Sequence, residues 1–202
     1  MNIHENFLYK GCQVRQPQEV SMVMMYFLGH VQPAQVLEIG TFTGGLTLIL
    51  RDTLDLLGLD TVPLRTYDIM TSAQGFLDQH PNRENIDFIV KNMWSDFKEL
   101  DDPSELEEFI QRDGPTIVLC DGGNKPREFR TIAPLLKDGD YILGHDYAPN
   151  DEYFNKHVKN KIWNWCELDD THVMPVVEEN GLILKWPEFF QRAAWFCAQK
   201  GV

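Results

Sequence analysis

Acidic side chains stand at or near the ends of four apolar runs in this sequence. Each run reads as a strand, and the acids are Glu38, Asp68, Asp121 and Asp146. In an open parallel sheet the carboxyl ends of the strands share one edge, where ligands bind. A single acid after a strand is more often a helix cap or a turn residue, but four acids on one edge indicate a ligand site.

Two basic side chains accompany the later acids. His145 directly precedes Asp146, and Lys125 follows Asp121 by four residues. The imidazole titrates nearest neutrality of the common side chains, so His145 suits the role of a proton acceptor. Lys125 would need a depressed pKa for the same role. The alternative for His145 is a structural histidine whose hydrogen bonds are satisfied.

A glycine-rich segment follows the first of these runs. The run from Val36 to Ile39 ends at Gly40, and leucines and isoleucines then recur at helical spacing, so the segment reads as strand, tight turn and helix. Gly40 can adopt backbone angles closed to other residues, and Gly44 and Gly45 leave no side chain between the helix start and a ligand. The spacing Glu-x-Gly-x-x-x-Gly differs from the dinucleotide and phosphate-loop motifs, and no lysine follows the glycines, which disfavours a triphosphate ligand.

This turn resembles the first motif of class I S-adenosylmethionine-dependent methyltransferases, and the order of the later elements fits that family over nearly the whole chain. The resemblance implies that the turn passes under the methionine end of the cofactor, with Glu38 near its amino acid end. It also implies that Asp68 accepts hydrogen bonds from both ribose hydroxyls. Asn92 and Met93 are candidates for the adenine contact, with core or turn roles as the alternative. The implied cofactor-binding residues are Glu38, Gly40, Thr41, Gly44, Asp68, Asn92, Met93 and Asp121.

Two further segments extend the resemblance. Leu-Cys-Asp-Gly-Gly-Asn-Lys around Asp121 and Gly-His-Asp-Tyr around Asp146 resemble the macrocin O-methyltransferase and cephalosporin hydroxylase group, and more loosely the metal-dependent catechol methyltransferases. In these proteins, acids after the fourth and fifth strands hold a divalent cation that binds the acceptor oxygen. The resemblance therefore implies a Mg²⁺ site at Asp121 and Asp146, with His145 or Lys125 as the base. Tyr147 stands where the catechol type has asparagine.

We therefore expect an S-adenosylmethionine-dependent O-methyltransferase that acts on a small molecule, such as a sugar or a natural-product hydroxyl. Methyl transfer from a sulfonium is an in-line displacement, which needs an aligned and partly deprotonated nucleophile. One rival is an iron-dependent hydroxylase, which would need His157 or His172 beside His145 and Asp146. The other is a non-catalytic module that binds a metabolite or a partner protein. Four aromatic side chains either wall an acceptor pocket or pack in the core: Tyr153, Phe154, Trp163 and Trp165.

Composition limits the classes of partner. The 202 residues carry a net charge of −13, which disfavours nucleic acids and anionic membranes because both reward clustered lysine and arginine. The four cysteines are widely spread and indicate neither a zinc cluster nor a disulfide framework. No stretch approaches the roughly 20 apolar residues of a membrane span. We expect a cytoplasmic protein with a small-molecule partner, and the sequence leaves a homo-oligomer open.

Strand and helix patterns alternate from residue 36 to about residue 144. This alternation predicts an α/β fold, namely a Rossmann-like doubly wound sheet of seven mostly parallel strands with helices on both faces and an antiparallel C-terminal strand pair. We expect one domain over residues 1–202, with residues 1–33 as a helical extension packed on it. The less regular parts are predicted as a helix with a buried face from Val20 to Leu28, a helix begun by Asp102 and Pro103, a helix from Asp151 to Trp165, strands at Val173 to Val177 and Leu182 to Trp186, and a closing helix near Pro187 to Gln199.

Overall fold

The computed structural model describes residues 7–95, 99–100 and 103–201. Its strands, in chain order, are β1 Phe7–Tyr9, β2 Cys12–Val14, β3 Gln35–Ile39, β4 Leu64–Asp68, β5 Ile86–Val90, β6 Trp94–Ser95, β7 Glu99–Leu100, β8 Thr116–Cys120, β9 Tyr141–Gly144, β10 Leu182–Leu184 and β11 Phe196–Lys200. Its α-helices are α1 Val20–Val31, α2 Gly45–Leu56, α3 Gln74–Leu77, α4 Pro103–Ile110, α5 Lys125–Ile132, α6 Asp151–Tyr153, α7 Asp170–Glu179 and α8 Pro187–Phe190.

A seven-stranded sheet forms the centre, in the order β10-β11-β9-β8-β3-β4-β5. The strands from β9 to β5 are parallel, whereas β11 runs antiparallel to both of its neighbours, β9 and β10. The predicted fold class is therefore confirmed, including the antiparallel pair at the C-terminal end. None of the helices in the described ranges is long and apolar enough to cross a membrane.

Successive side chains of the central strands point to opposite faces of the sheet, and both faces are covered by helices. Val36 points into the cluster packed by α1, α2 and α8, and its neighbour Leu37 points into the cluster packed by α4, α5 and α7. Ile117 and Val118 of β8 divide between the two clusters in the same way. Since each strand is covered on both sides, its sequence reads as a nearly continuous apolar run. The two helical layers hold the strand ends in place and leave one edge of the sheet open to ligands.

The N-terminal segment is more regular than its mixed sequence indicates. β1 and β2 form an antiparallel hairpin, and its turn residues Lys10 and Gly11 both have positive φ angles, which matches the twist of a two-residue hairpin turn. The Thr43 hydroxyl donates to the carbonyl of Gln13 at 2.6 Å, so the hairpin is attached to the glycine turn. The predicted helix follows as α1, and all five of its predicted core residues are buried.

The C-terminal third differs from the prediction at three places. The segment from Val173 to Val177 belongs to helix α7, because the Asp169 side chain accepts hydrogen bonds from the first-turn amides and the valines lie at helical spacing. The closing helix ends at Phe190, since Phe196 and its neighbours pair with β9 and bury their side chains in the sheet. The helix predicted up to Trp165 gives way, after a short α-helix, to a π-helical turn at Phe154–Val158 and an irregular loop. The predicted cap Asp102 lies outside the described residues.

Candidate functional site

A cleft of about 950 Å³ opens at the carboxyl edge of the sheet. Its volume is within the range of about 300–1,000 Å³ that is usual for ligand pockets. The predicted site residues that line it are Gly40, Asp68, Asn92, Met93, Asp121, Lys125, His145 and Asp146. The structure therefore brings most of the predicted residues to one cavity. Glu38, Thr41 and Gly44 are outside the lining set.

Gly40 is required by close packing at the end of β3. Its φ angle is +96°, and a Cβ atom there would overlap the carbonyl of Asp121 and the Cα atom of Gly122. Gly44 also has a positive φ and begins α2, with Ala73 and Leu77 packed against it. Gly40 therefore allows the first turn and the loop after β8 to meet at the cleft, and Gly44 allows the same turn to pack against the segment of α3.

Glu38 precedes this turn and is fully buried. Its Oε2 atom accepts hydrogen bonds from the hydroxyls of Thr47 and Thr66, each at 2.6 Å. Thr41 contacts Thr66 through hydroxyl oxygens 2.6 Å apart. Burial raises the pKa of Glu38 to about 7, although the two hydroxyl donors act to lower it. This network links the glycine turn to β4. Because the pKa of Glu38 is raised in the fold, the free energy of unfolding depends on whether Glu38 is protonated.

Asp68 ends β4 at the wall of the cleft. Its Oδ2 atom accepts from the amide of Phe42 at 2.6 Å, and its Oδ1 atom accepts from the amide of Met70 at 3.0 Å. Each carboxylate oxygen can accept a second hydrogen bond, so the pair stays able to bind a diol. Beside it, Asn92 accepts from the Trp94 amide at 3.2 Å. Met93 is 6% exposed and belongs partly to the core.

Three further predicted residues converge in the same cleft. Potential ligand atoms of Asp121, His145 and Asp146 all lie within 4.8 Å of one another. His145 Nδ1 lies 2.9 Å from Asp121 Oδ1 and 3.3 Å from Asp146 Oδ1, so Nδ1 carries a proton that faces these carboxylates. Its Nε2 atom is buried without a hydrogen-bond partner among the described residues, and the ring lies near the rings of Trp163 and Trp195.

The ammonium group of Lys125 lies among oxygen atoms of the same cluster. Its Nζ atom is 2.9 Å from Asp146 Oδ2, 3.1 Å from Glu167 Oε2 and 3.7 Å from Asp121 Oδ1. Although burial acts in the opposite direction, these three carboxylates raise the pKa of Lys125 above its ordinary value. Burial acts to raise the pKa of Asp146, but the charge of His145 when its ring is protonated and the ion pair with Lys125 lower it below its ordinary value. The depressed pKa that a basic Lys125 would need is therefore opposed by its surroundings.

Sequence reasoning missed several residues of this cluster. Gln16 donates to Asp121 Oδ2 at 2.6 Å and accepts from the indole of Trp195 at 2.9 Å. Trp163 donates its indole N–H to Asp146, and Glu167 reaches Lys125 from the loop before α7. Gln16 and Trp195 lie outside the repeating strand and helix units, and no local motif marks them. Glu167 belongs to the loop before α7, for which the sequence pattern predicts no element. Trp163 is one of the predicted candidates for the pocket wall, and its hydrogen bond to Asp146 is the part that the sequence does not indicate.

Replacing Gln16 with leucine should lower the free energy of unfolding by about 1–3 kcal/mol, because Trp195 would keep a buried N–H without an acceptor. Gln16 is 2% exposed and bonds to two parts of the site. Urea denaturation measures the change. Gln18→Leu is the matched control because Gln18 is exposed. Equal stabilities of the two variants would refute the stabilising role of the two buried hydrogen bonds of Gln16.

The iron-site arrangement does not form among the residues that the structure describes. His172 contacts Asp169 at the start of α7, and the exposed His157 lies against the ring of Tyr153, so neither joins the cluster at His145. The aromatic residues of this region divide between two environments. Trp165 lines the cleft, Tyr153 and Phe154 pack in an apolar cluster, and Trp163 belongs to that cluster and also lines the cleft.

Comparison with known proteins identifies the fold. No protein-family model and no curated protein matches the sequence. A solved structure of CmcI with Mg and SAM has a TM-score of 0.63 and 16% identity, over 97% of this chain and 77% of the other. SAH-bound methyltransferase PaMTH1 from Podospora anserina has a TM-score of 0.57 and 14% identity, over 90% and 78%. An O-methyltransferase family protein from Burkholderia thailandensis has a TM-score of 0.61 and 14% identity, over 91% and 56%. The chain therefore has the class I methyltransferase fold.

Proposed function

We propose that this chain is an S-adenosylmethionine-dependent methyltransferase that modifies a hydroxyl oxygen of a small molecule, such as a sugar or a natural product. The observation that carries the proposal is the cleft at the carboxyl edge of the sheet, which Gly40 of the glycine turn, Asp68 and the Asp121 cluster line together. The fold supports it, because similar folds are found in structures named with SAM or SAH. Turnover would exclude the alternative of a non-catalytic metabolite-binding module.

The cleft fits S-adenosylmethionine by volume and by its polar groups. Asp68 offers two carboxylate oxygens with unused acceptor capacity toward the cofactor's ribose. Gly40, Asn92 and Met93 line the same cavity, which suits the predicted contacts with the turn and the adenine ring. For Glu38, Thr41 and Gly44 we propose an indirect role, since they hold the turn from behind. When bound, the cofactor supplies an electrophilic methyl group on a sulfonium sulfur.

The side chains of the cluster at Asp121, Lys125, His145 and Asp146 would orient and activate the acceptor. The positive charge of Lys125 can stabilise negative charge developing on the acceptor oxygen through space, while its N–H groups stay bound to Asp146, Glu167 and Gly122. Its raised pKa makes it a poor base, so we propose His145 as the proton acceptor. Asp121 accepts from Nδ1 and fixes the ring, which leaves the lone pair on Nε2. Because Nε2 is enclosed near Trp163 and Trp195, a small movement of that wall must expose it to the acceptor.

Magnesium, which the resemblance implies at Asp121 and Asp146, does not fit beside Lys125 as these groups are arranged. The ammonium lies within 3.7 Å of both carboxylates, in the position that a shared cation would take. A second cation would meet the repulsion of the first at a distance where little water screens it. We derive no step through a metal. Titration of the protein with a divalent cation would show whether Mg²⁺ or the Lys125 ammonium occupies this position.

Replacing Asp68 with asparagine should weaken the binding of S-adenosylhomocysteine by about 1–3 kcal/mol, because the amide keeps one acceptor oxygen and turns a donor toward the ribose diol. Isothermal calorimetry on the purified protein measures this change. Asp138→Asn is the control, since Asp138 is exposed and precedes β9 at the opposite edge of the sheet. Failure of the parent protein to bind either S-adenosylmethionine or S-adenosylhomocysteine would remove the proposed function.

A further inference from the structure

The ammonium of Lys125 has the oxygen surroundings of a bound cation. Besides the three carboxylates, the carbonyl of Gly122 accepts from Nζ at 3.0 Å. A lysine ammonium has three N–H donors, and Asp146, Glu167 and Gly122 supply one acceptor for each. All three N–H donors of the ammonium are therefore hydrogen-bonded, and their acceptors come from three separate parts of the chain.

The backbone around Lys125 fixes the stem of this side chain. Lys125 is the first residue of α5, and its own amide donates to Glu167 Oε1 at 3.1 Å, so one carboxylate holds both ends of the residue. The Asn124 side chain caps the same helix by accepting from the amide of Arg127. Glu167 is held in turn, because its amide donates to the carbonyl of Asp146 at 2.9 Å. Lys125 is 6% exposed, which distinguishes it from a surface lysine near acidic groups.

The remaining carboxylate atoms also have protein donors. Asp121 Oδ2 accepts from Gln16, Asp121 Oδ1 lies 2.9 Å from His145 Nδ1, and Asp146 Oδ1 accepts from the indole of Trp163. A buried carboxylate cluster needs a compensating cation, and this cluster has one that is covalently part of the chain. A divalent ion at the same point would have to displace Lys125 and leave its ammonium buried without these acceptors.

We propose that Lys125 replaces the divalent cation at this site, so that the protein binds no divalent ion between Asp121 and Asp146 until Lys125 is made neutral. The proposal rests on the proposed function only where this cluster is taken to face the acceptor. Asp121, Asp146, Glu167 and the Gly122 carbonyl form an all-oxygen set of the kind that hard divalent cations take. Loss of the ammonium charge would therefore turn the lysine site into a metal site.

Metal titration of the full chain tests this without any cofactor. The parent, Lys125→Met, Lys125→Gln and Lys125→Arg would be treated with chelator and then titrated with MnCl₂ or MgCl₂, following thermal melting and Mn²⁺ electron paramagnetic resonance. We expect no saturable site in the parent or in Lys125→Arg. We expect one Mn²⁺ per chain in Lys125→Met and Lys125→Gln, at least tenfold tighter than in the parent, with a melting temperature that rises on binding. Adding Asp146→Asn should abolish that site.

Two results would overturn the proposal. One is a single saturable Mn²⁺ or Mg²⁺ site in the parent that Asp146→Asn removes, and this measurement needs no lysine variant to fold. The other is a pair of folded neutral variants that bind no ion more tightly than the parent. Neither result bears on cofactor binding, which calorimetry with S-adenosylhomocysteine tests separately. A failure of one proposal can therefore be distinguished from a failure of the other.

Discussion

Replacing Asp146 with alanine should lower the free energy of unfolding by about 3–5 kcal/mol, the usual cost of removing one partner of a buried ion pair. The substitution takes the closest carboxylate from Lys125 and removes the acceptor of the Trp163 indole. It also leaves alanine at a φ angle of +58°, which an L side chain without a polar group tolerates poorly. Because typical domains are stable by about 5–15 kcal/mol, urea denaturation should show a large change.

The asparagine variant separates charge from shape. Asp146→Asn keeps an acceptor for the indole and suits the left-handed backbone, so it should lose only about 1–3 kcal/mol. Asp151→Ala serves as a control at an exposed position close by in sequence. If Asp146→Ala were no less stable than Asp151→Ala, the cluster would not be a buried ion pair in solution.

Stability should fall as the pH rises from about 5 to 8, and Glu38 should account for a large part of the fall. Burial raises the pKa of this residue to about 7 in the fold, whereas an unfolded chain releases the proton near 4.5. Between those values the folded state holds a proton that the unfolded state has lost, so each pH unit costs the fold about 1.4 kcal/mol. The stabilisation is complete below the unfolded pKa and is lost as the pH passes the folded pKa. The total for Glu38 is on the order of 3 kcal/mol.

Urea denaturation at several pH values measures this effect. Glu38→Gln should be more stable than the parent at pH 8 and should show a smaller pH dependence. Burial also raises the pKa of Glu128 to about 7, against hydrogen bonds from the amides of Asn124 and Gly122. Part of the slope should therefore remain in Glu38→Gln and disappear when Glu128→Gln is added. A Glu38→Gln variant with the full slope of the parent would contradict the buried ionisation.

The parts of the fold that the sequence predicts are those coded by neighbouring residues. The run from Val36 to Ile39 and the glycines after it specify strand, turn and helix within about twenty residues, and the acids after later strands follow the same local rule. Hydrophobic periodicity does not decide the type of element where the same residues fit both a strand and a helix. Val173, Val176 and Val177 suit either a strand or one face of a helix, and the Asp169 cap decides in favour of the helix.

The cluster around Lys125 shows what remained beyond local patterns. Spacing alone identified Asp121, Lys125 and Asp146 as neighbours, but the pKa of a lysine depends on how many carboxylates surround it in space. Glu167 is 42 residues away in the chain and comes from a loop without a regular period. Together with Asp121 and Asp146, it raises the pKa of Lys125 and makes this residue a fixed cation where the sequence suggested a base.

The position of β11 has a consequence for the order in which the chain can fold. β11 is synthesised after all the other strands that the structure describes, yet it lies between β10 and β9. Until residues 196–200 leave the ribosome, β9 has an unpaired edge and its buried residues lack cover on that side. The hydrogen bond from Trp195 to Gln16 joins residues that are 179 positions apart. Gln16, which donates to Asp121, is therefore fixed in place only at the same late stage. Substitutions that slow the pairing of β11 should therefore favour aggregation of newly made chains through the edge of β9.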